Sequence, residues 1–100
     1  MRKIVISDAT RSKIEDLLEY LEIKWSDRIR KKFANKLYHA VNIIQNSPEA
    51  FPQSESNKKV HKCVITKQST LFYKFNSKRV EIIAFFDTRQ DPNKIKKDIK

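Results

Sequence analysis

The sequence predicts an α+β domain in the order β-α-α-β-β-β: an N-terminal strand, an antiparallel α-hairpin, then a three-stranded antiparallel meander, with both helices packed on one face of the sheet. Three observations carry this expectation. A β-branched run, Lys3-Ile-Val-Ile6, opens the chain; apolar residues recur at three- and four-residue spacing between residues 9 and 46; and three short apolar runs crowd into residues 60–86. With 100 residues, of which 39% are hydrophobic, the chain suffices for one core and is read as a single domain over residues 1–100.

The first run ends at Ser7-Asp8, either of which can accept a backbone N–H bond and cap a helix. From Ala9 to about Lys24, Ile14, Leu17, Leu18 and Leu21 form an apolar stripe, with Arg11, Glu15, Asp16, Glu19 and Glu22 largely on the other side. Trp25-Ser26-Asp27 interrupts the pattern. Ser26 can cap a second helix, in which Ile29, Phe33, Leu37, Ala40, Val41 and Ile44 keep helical spacing until Asn46-Ser47-Pro48. So short a break favours an antiparallel hairpin whose apolar stripe must cover a sheet.

Residues 48–59, marked by Pro48 and Pro52, read as a polar surface connection. Strands are expected at Val60–Thr66, Leu71–Phe75 and Val80–Phe86, with turns at 67–70 and 76–78. Asn76 is the residue best able to take a left-handed turn position in a chain without glycine. The tail from Pro92 to Lys100, with Ile95 and Ile99 four apart among lysines, fits a short amphipathic helix or a frayed end.

Composition excludes several classes of function. The absence of glycine removes P-loops and dinucleotide fingerprints, which need a backbone free to approach phosphate. One cysteine and two histidines make neither an internal disulfide nor a Cys/His zinc cluster, so no metal or cofactor is expected. No apolar run reaches the roughly 18 residues of a membrane span, and the N-terminal run is too short for a signal peptide, so the chain is read as soluble and cytoplasmic.

Lysine and arginine number 22 against 12 acidic residues, a net charge of +10. Residues 1–50 carry 10 basic and 7 acidic residues, and residues 51–100 carry 12 and 5, so the excess sits with the strands. Such a balance favours a polyanion or an acidic protein as partner.

The stretch that concentrates chemistry is Val80-Glu-Ile-Ile-Ala-Phe-Phe-Asp87-Thr-Arg89-Gln-Asp91-Pro92, an apolar strand delivering an arginine and two aspartates at its end. Arg89 is either a phosphate- or partner-binding cation or half of an ion pair with Asp87 or Asp91, and both readings can hold at once. Lys62 and Lys74, in different strands, form a cationic groove with Lys67 in the turn between them, or are the polar half of ordinary strand alternation. His61 is the one strand-region side chain whose unperturbed pKa lies near neutrality, yet it shares a face with Cys63 and Ile65 and reads first as a core or rim histidine. Trp25 and Tyr73 are the candidates for partner contact.

The element order, the run Leu71-Phe-Tyr73-Lys74-Phe75 and the ending Asp87-Thr-Arg89-Gln-Asp91-Pro92 resemble the RelE/ParE toxin superfamily over nearly the whole chain, most closely its ParE, or plasmid-stabilisation, branch. The resemblance implies the toxin of a bacterial type II toxin–antitoxin pair, neutralised by a cognate antitoxin. It brings two alternative activities: RelE-like cleavage of messenger RNA on the ribosome, or ParE-like poisoning of DNA gyrase. The chain departs from the nuclease pattern in two places and from the ParE pattern in one. Thr70 stands where RNA-cutting relatives commonly carry arginine, residues 89–100 contain no tyrosine or histidine, and Asp87 stands where many ParE relatives carry histidine. The expectation is therefore a ParE-like toxin that binds its target through Arg89, Asp87, Asp91, Lys62, Lys67 and Lys74. The alternatives are a metal-independent endonuclease using Arg89, Lys62, Lys67, Lys74 and His61, and a degenerate toxin that binds only its antitoxin.

Overall fold

The computed structural model describes residues 1–90, so Asp91 and the expected tail helix lie outside the described residues. The elements are β1 (Lys3–Ile6), α1 (Asp8–Lys24), α2 (Asp27–Asn46), a single 3-10 turn (Pro48–Ala50), β2 (His61–Val64), β3 (Ser69–Phe75) and β4 (Arg79–Asp87). Both helix starts follow from serine chemistry. Ser7 Oγ accepts from Thr10 N–H at 3.2 Å and Ser26 Oγ from Ile29 N–H at 3.1 Å, each satisfying a donor that the first helical turn leaves unpaired.

The four strands form one sheet in the order β1-β4-β3-β2. β2, β3 and β4 make the expected antiparallel meander, whereas β1 pairs with β4 in parallel, Lys3 opposite Arg79 through Ile6 opposite Ile82, so the sheet is mixed. The two helices cover one face. Leu17 and Leu21 of α1, and Phe33, Ala40 and Ile44 of α2, meet Cys63, Leu71, Tyr73, Val80, Ile82 and Phe85 of the sheet in one core. Ile29 departs from its expected place: it lies in the first turn of α2 and remains exposed.

β4 holds a β-bulge. Phe72 pairs with Ala84 but Tyr73 with Ile82, so Ile83 is an extra residue on β4. An extra residue shifts the two-residue alternation by one. Val80 and Ile82 face the helices before it, Ile83 and Ala84 are both exposed, and Phe85 and Asp87 face the helices after it. The bulged carbonyl is satisfied from α1, where the buried Thr10 donates its hydroxyl to Ile83 O at 3.3 Å.

Turns are closed by side chains. β2 ends two residues before the expected Thr66 because that hydroxyl caps the turn, accepting from Gln68 N–H at 3.2 Å and Ser69 N–H at 3.1 Å. Asn76 takes no left-handed conformation. Its Oδ1 accepts from Lys78 N–H at 2.8 Å and Arg79 N–H at 3.0 Å, an Asx turn that holds the β3–β4 connection without a positive φ.

Candidate functional site

The bulge decides where the end of β4 points. Asp87 is 1% exposed, directed inward beside Ser69, its cross-strand partner on β3. Burying a carboxylate is tolerable only if it is paired and hydrogen-bonded. Asp87 meets both conditions: Oδ2 accepts from the Ser69 hydroxyl and from Arg89 Nη2 at 2.8 Å, and Oδ1 accepts from Arg89 Nε at 3.0 Å and from the Arg89 N–H at 2.8 Å. The guanidinium therefore grips the carboxylate with two N–H groups, the strongest geometry open to such a pair.

The electrostatics follow. Burial pushes the Asp87 carboxyl up, but the bonds from the Arg89 side chain, Ser69 and the Arg89 N–H outweigh it and hold the group below the usual carboxylate range. Arg89 is raised by the same bond to Asp87, against partial burial, with the Tyr20 phenol close enough to contribute. Asp87 is thus a fixed anion, and Arg89 a fixed cation with about a quarter of its side chain exposed.

Arg89 forms one wall of a cavity of about 360 Å³ between the helical hairpin and the β2–β3 turn. Its floor is Leu21, Ile29 and Phe33; Lys32 and Lys36 of α2 flank one side, and Thr66, Lys67 and Gln68 of the turn the other. The turn is tied to the end of β4 by Thr88 N–H donating to Gln68 O at 3.0 Å. Among the described residues no acidic side chain lines this cleft, and the carboxylate beneath it is already occupied by Arg89.

The described residues anticipated from sequence separate into three groups, with Trp25 apart from them. Arg89, Asp87 and Lys67 come together here. Lys62 and Lys74 lie on the opposite, open face: Lys62 pairs across the strands with Phe72, and Lys74 is two residues further along β3, so the groove expected to join them to Lys67 is divided by the sheet. His61 and Tyr73 belong to a third cluster on the helix-facing side. His61 stacks on Tyr73 with ring centroids 5.4 Å apart and lies 5.1 Å from Phe75, and its Nδ1, which must carry the proton, donates to Phe51 O at 2.8 Å. Tyr73, expected at a partner surface, is fully buried, and its hydroxyl donates to Pro48 O at 2.7 Å. Trp25 is 66% exposed in the connection between the helices.

Sequence reasoning missed Ser69, Lys32 and Lys36. The lysines carry a local signal, since four-residue spacing puts both on one helical face. Ser69 carries none, because only strand pairing brings it to Asp87. Among the described residues no cluster of His, Cys, Asp and Glu suits a metal ion, and no helix is long and apolar enough to cross a membrane.

No protein-family model matches the sequence, and no curated protein matches it significantly. Solved structures do. A chain of the chromosomal ParDE toxin–antitoxin system from P. aeruginosa superposes with a TM-score of 0.72 at 8% identity, covering 87% of this chain and 96% of that one. A chain of the E. coli DinJ–YafQ complex gives a TM-score of 0.59 at 19% identity over 89% and 96% of the two chains. The YoeB/ParE toxin from Agrobacterium tumefaciens gives 0.60 at 16% identity over 85% and 96%. Identities this low speak to architecture alone, and on that evidence of shape the chain shares its fold with these chains from toxin–antitoxin systems.

Proposed function

We propose that the chain is the toxin of a bacterial type II toxin–antitoxin pair and acts in the ParE manner, by binding and inhibiting a target such as DNA gyrase. The observation that carries the reading is the Arg89–Asp87 pair at the rim of the Lys32–Lys36–Lys67 cleft. It suits an anionic group, and among the described residues the candidates for proton transfer do not serve it: Asp87 is held as an anion by Arg89, and His61 lies in the separate Tyr73 and Phe75 cluster. A structural neighbour belongs to a ParDE system, which agrees with an antitoxin as partner.

The antitoxin has a site of its own in this reading. Ile4 and Ile6 of the edge strand β1, with Ile14, Leu37 and Val41 of the helices, line an apolar groove of about 290 Å³ bordered by Arg11 and Glu15. Such a groove beside a strand edge suits an amphipathic helix or an added strand.

A second reading, an mRNA endonuclease, draws support from the open face, where Phe72 stands between Lys62 and Lys74 as a stacking ring between two cations. Induction of the chain in bacterial cells lacking any antitoxin, with DNA, RNA and protein synthesis followed separately over the first minutes, tests both. Early arrest of DNA synthesis is the expected result. Immediate translational arrest with new 5′ ends in messages would replace it with the nuclease, and unimpaired growth would leave an antitoxin-binding protein without toxicity.

A further inference from the structure

The hairpin tip carries more apolar surface than a solvated turn requires. Tyr20, Ile23, Trp25 and Ile29 are all exposed, at 37, 71, 66 and 38%, and they fall within ten residues of one another. Scattered exposed apolar residues are ordinary, but a contiguous group marks a surface that meets something. One of these neighbours reaches the cationic cleft: Ile29 is part of its floor.

The cleft and the tip together state the chemistry of an occupant. Cations stand on both sides, Lys32 and Lys36 on α2 and Lys67 and Arg89 on the sheet rim, over a floor of Leu21, Ile29 and Phe33. Helix α2 carries five basic side chains in its first ten residues, Arg28, Arg30, Lys31, Lys32 and Lys36, and its one acid, Asp27, is engaged by Arg30 at 2.8 Å and Lys31 at 3.0 Å. Phosphates would satisfy the lysines and a base could stack on the Trp25 or Tyr20 ring, but Leu21 and Ile29 of the floor and Ile23 at the tip offer neither a ring nor a donor, so a nucleic acid uses this surface only in part. A polypeptide satisfies both halves, with carboxylates between the cation rows and a bulky side chain on the apolar floor. The antitoxin is accounted for by the apolar groove at β1, on other residues.

We propose that this cleft and the hairpin tip dock an acidic segment of the target protein, which places a bulky apolar side chain on Leu21, Ile29 and Phe33 and its carboxylates against Lys32, Lys36, Lys67 and Arg89. The assignment rests on the toxin reading and makes its target a protein. Trp25, 66% exposed between the helices and four residues before Ile29, stands at the exposed edge of this surface and reports on its occupancy.

The test uses the full chain and labelled probes of about twelve residues: an acidic peptide with a central Leu-Phe pair, the same peptide with glutamines replacing that pair, and single-stranded RNA of matching length. The apolar acidic peptide is expected to bind with quenching or shift of Trp25 fluorescence, roughly tenfold more tightly than its glutamine counterpart, and to lose roughly tenfold on Lys32→Glu/Lys36→Glu. Lys58→Glu/Lys59→Glu, which alters the same charge on the distant connection, leaves binding within about twofold. Equal binding of the two peptides, or RNA binding that is tighter and equally lost in Lys32→Glu/Lys36→Glu, overturns the proposal. A cell-growth arm separates the two levels of the argument. If the unaltered chain does not arrest growth, the toxin reading fails, whatever the peptides do; if it does and Lys32→Glu/Lys36→Glu arrests growth equally, the docking assignment fails while the toxin reading stands.

Discussion

Replacing Arg89 by alanine tests site and fold at the same time, and the structure allows the two effects to be separated. The substitution removes the Nε and Nη2 bonds to Asp87, at 3.0 and 2.8 Å, and leaves that side chain, fully buried, with the Ser69 hydroxyl and the backbone N–H of residue 89. Breaking a buried pair by deleting one partner costs about 3–5 kcal/mol. The two surviving donors and the partial exposure of Arg89 reduce this to about 2–3 kcal/mol for Arg89→Ala at pH 7. In the unaltered protein the Asp87 carboxyl titrates below its unfolded value, so its contribution is complete above that unfolded value of roughly 3.9 and is lost as pH falls through the folded one. Without the guanidinium, burial dominates and the carboxyl titrates higher. The deficit of Arg89→Ala should therefore shrink on acidification from pH 7 towards 5, as the orphaned group takes up a proton. Urea denaturation at the two pH values measures it. The double variant Asp87→Ala/Arg89→Ala should be at least about 1 kcal/mol more stable than additivity of the single variants allows. A single variant within about 0.5 kcal/mol of the unaltered protein at pH 7 would refute the pairing as a structural element and leave Arg89 a purely functional cation.

Three further substitutions or measurements probe neighbouring links. Thr10→Val keeps the shape of the α1 side chain but withdraws the donor to the bulged Ile83 carbonyl, and should cost about 1–2 kcal/mol in urea denaturation; no loss would mean that the bulge needs no support from the helix. Tyr73→Phe removes the hydroxyl that donates to the Pro48 carbonyl, for an expected loss of about 1–2 kcal/mol with growth arrest unchanged, and a functional defect in a fully stable variant would return Tyr73 to the partner surface. The Cys63 thiol, fully buried and pushed up by burial to about 11, should stay unreactive towards a disulfide reagent at pH 8 and react only as urea unfolds the chain; rapid native reaction would place it at the surface.

Local chemistry made most of the fold legible. Ser7 and Ser26 announce both helix starts because a serine oxygen before an apolar-periodic run has one evident use, and the spacing of Leu17, Leu21, Phe33, Ala40 and Ile44 picks out the face that the structure buries. What remained hidden was non-local. The parallel pairing of β1 with β4 joins residues more than seventy positions apart, and nothing in Lys3-Ile-Val-Ile6 says which edge it will take. The bulge was masked for another reason: in Val80-Glu-Ile-Ile-Ala-Phe-Phe both phases of the alternation are apolar beyond Glu81, so either register satisfies the core. That ambiguity made Asp87 look like a solvated strand end. It is instead the buried anchor of Arg89, while the ordinary alternation of β2 and β3, with Cys63, Leu71 and Tyr73 turned to the helices, puts Lys62 and Lys74 on the face opposite the cleft.

The absence of glycine connects the fold to the site. Tight hairpins ordinarily use glycine or asparagine at positive φ, and no described residue takes that conformation here. The connections are longer, and side-chain acceptors stand in: Asn57 Oδ1 for Lys59 N–H at 2.9 Å, Thr66 Oγ1 for Gln68 and Ser69 N–H, and Asn76 Oδ1 for Lys78 and Arg79 N–H. Residues with side chains lose less backbone freedom on folding than glycine would, so these turns are ordered at smaller entropic cost. For the cleft this has a direct consequence. Lys67 sits inside the Thr66-capped turn, which Ile65 N–H closes onto Ser69 O at 2.9 Å and Thr88 N–H fastens to β4 through Gln68 O. Ser69, the last residue of that turn, also donates to Asp87, and Asp87 holds Arg89. The two cations on the sheet side are therefore carried by one hydrogen-bonded unit, facing two lysines on a helix that Phe33, Ala40 and Ile44 bind to the core. In the proposed docking the backbone that carries these lysines, and the Arg89 guanidinium itself, would already be ordered, so recognition would spend little on arranging them.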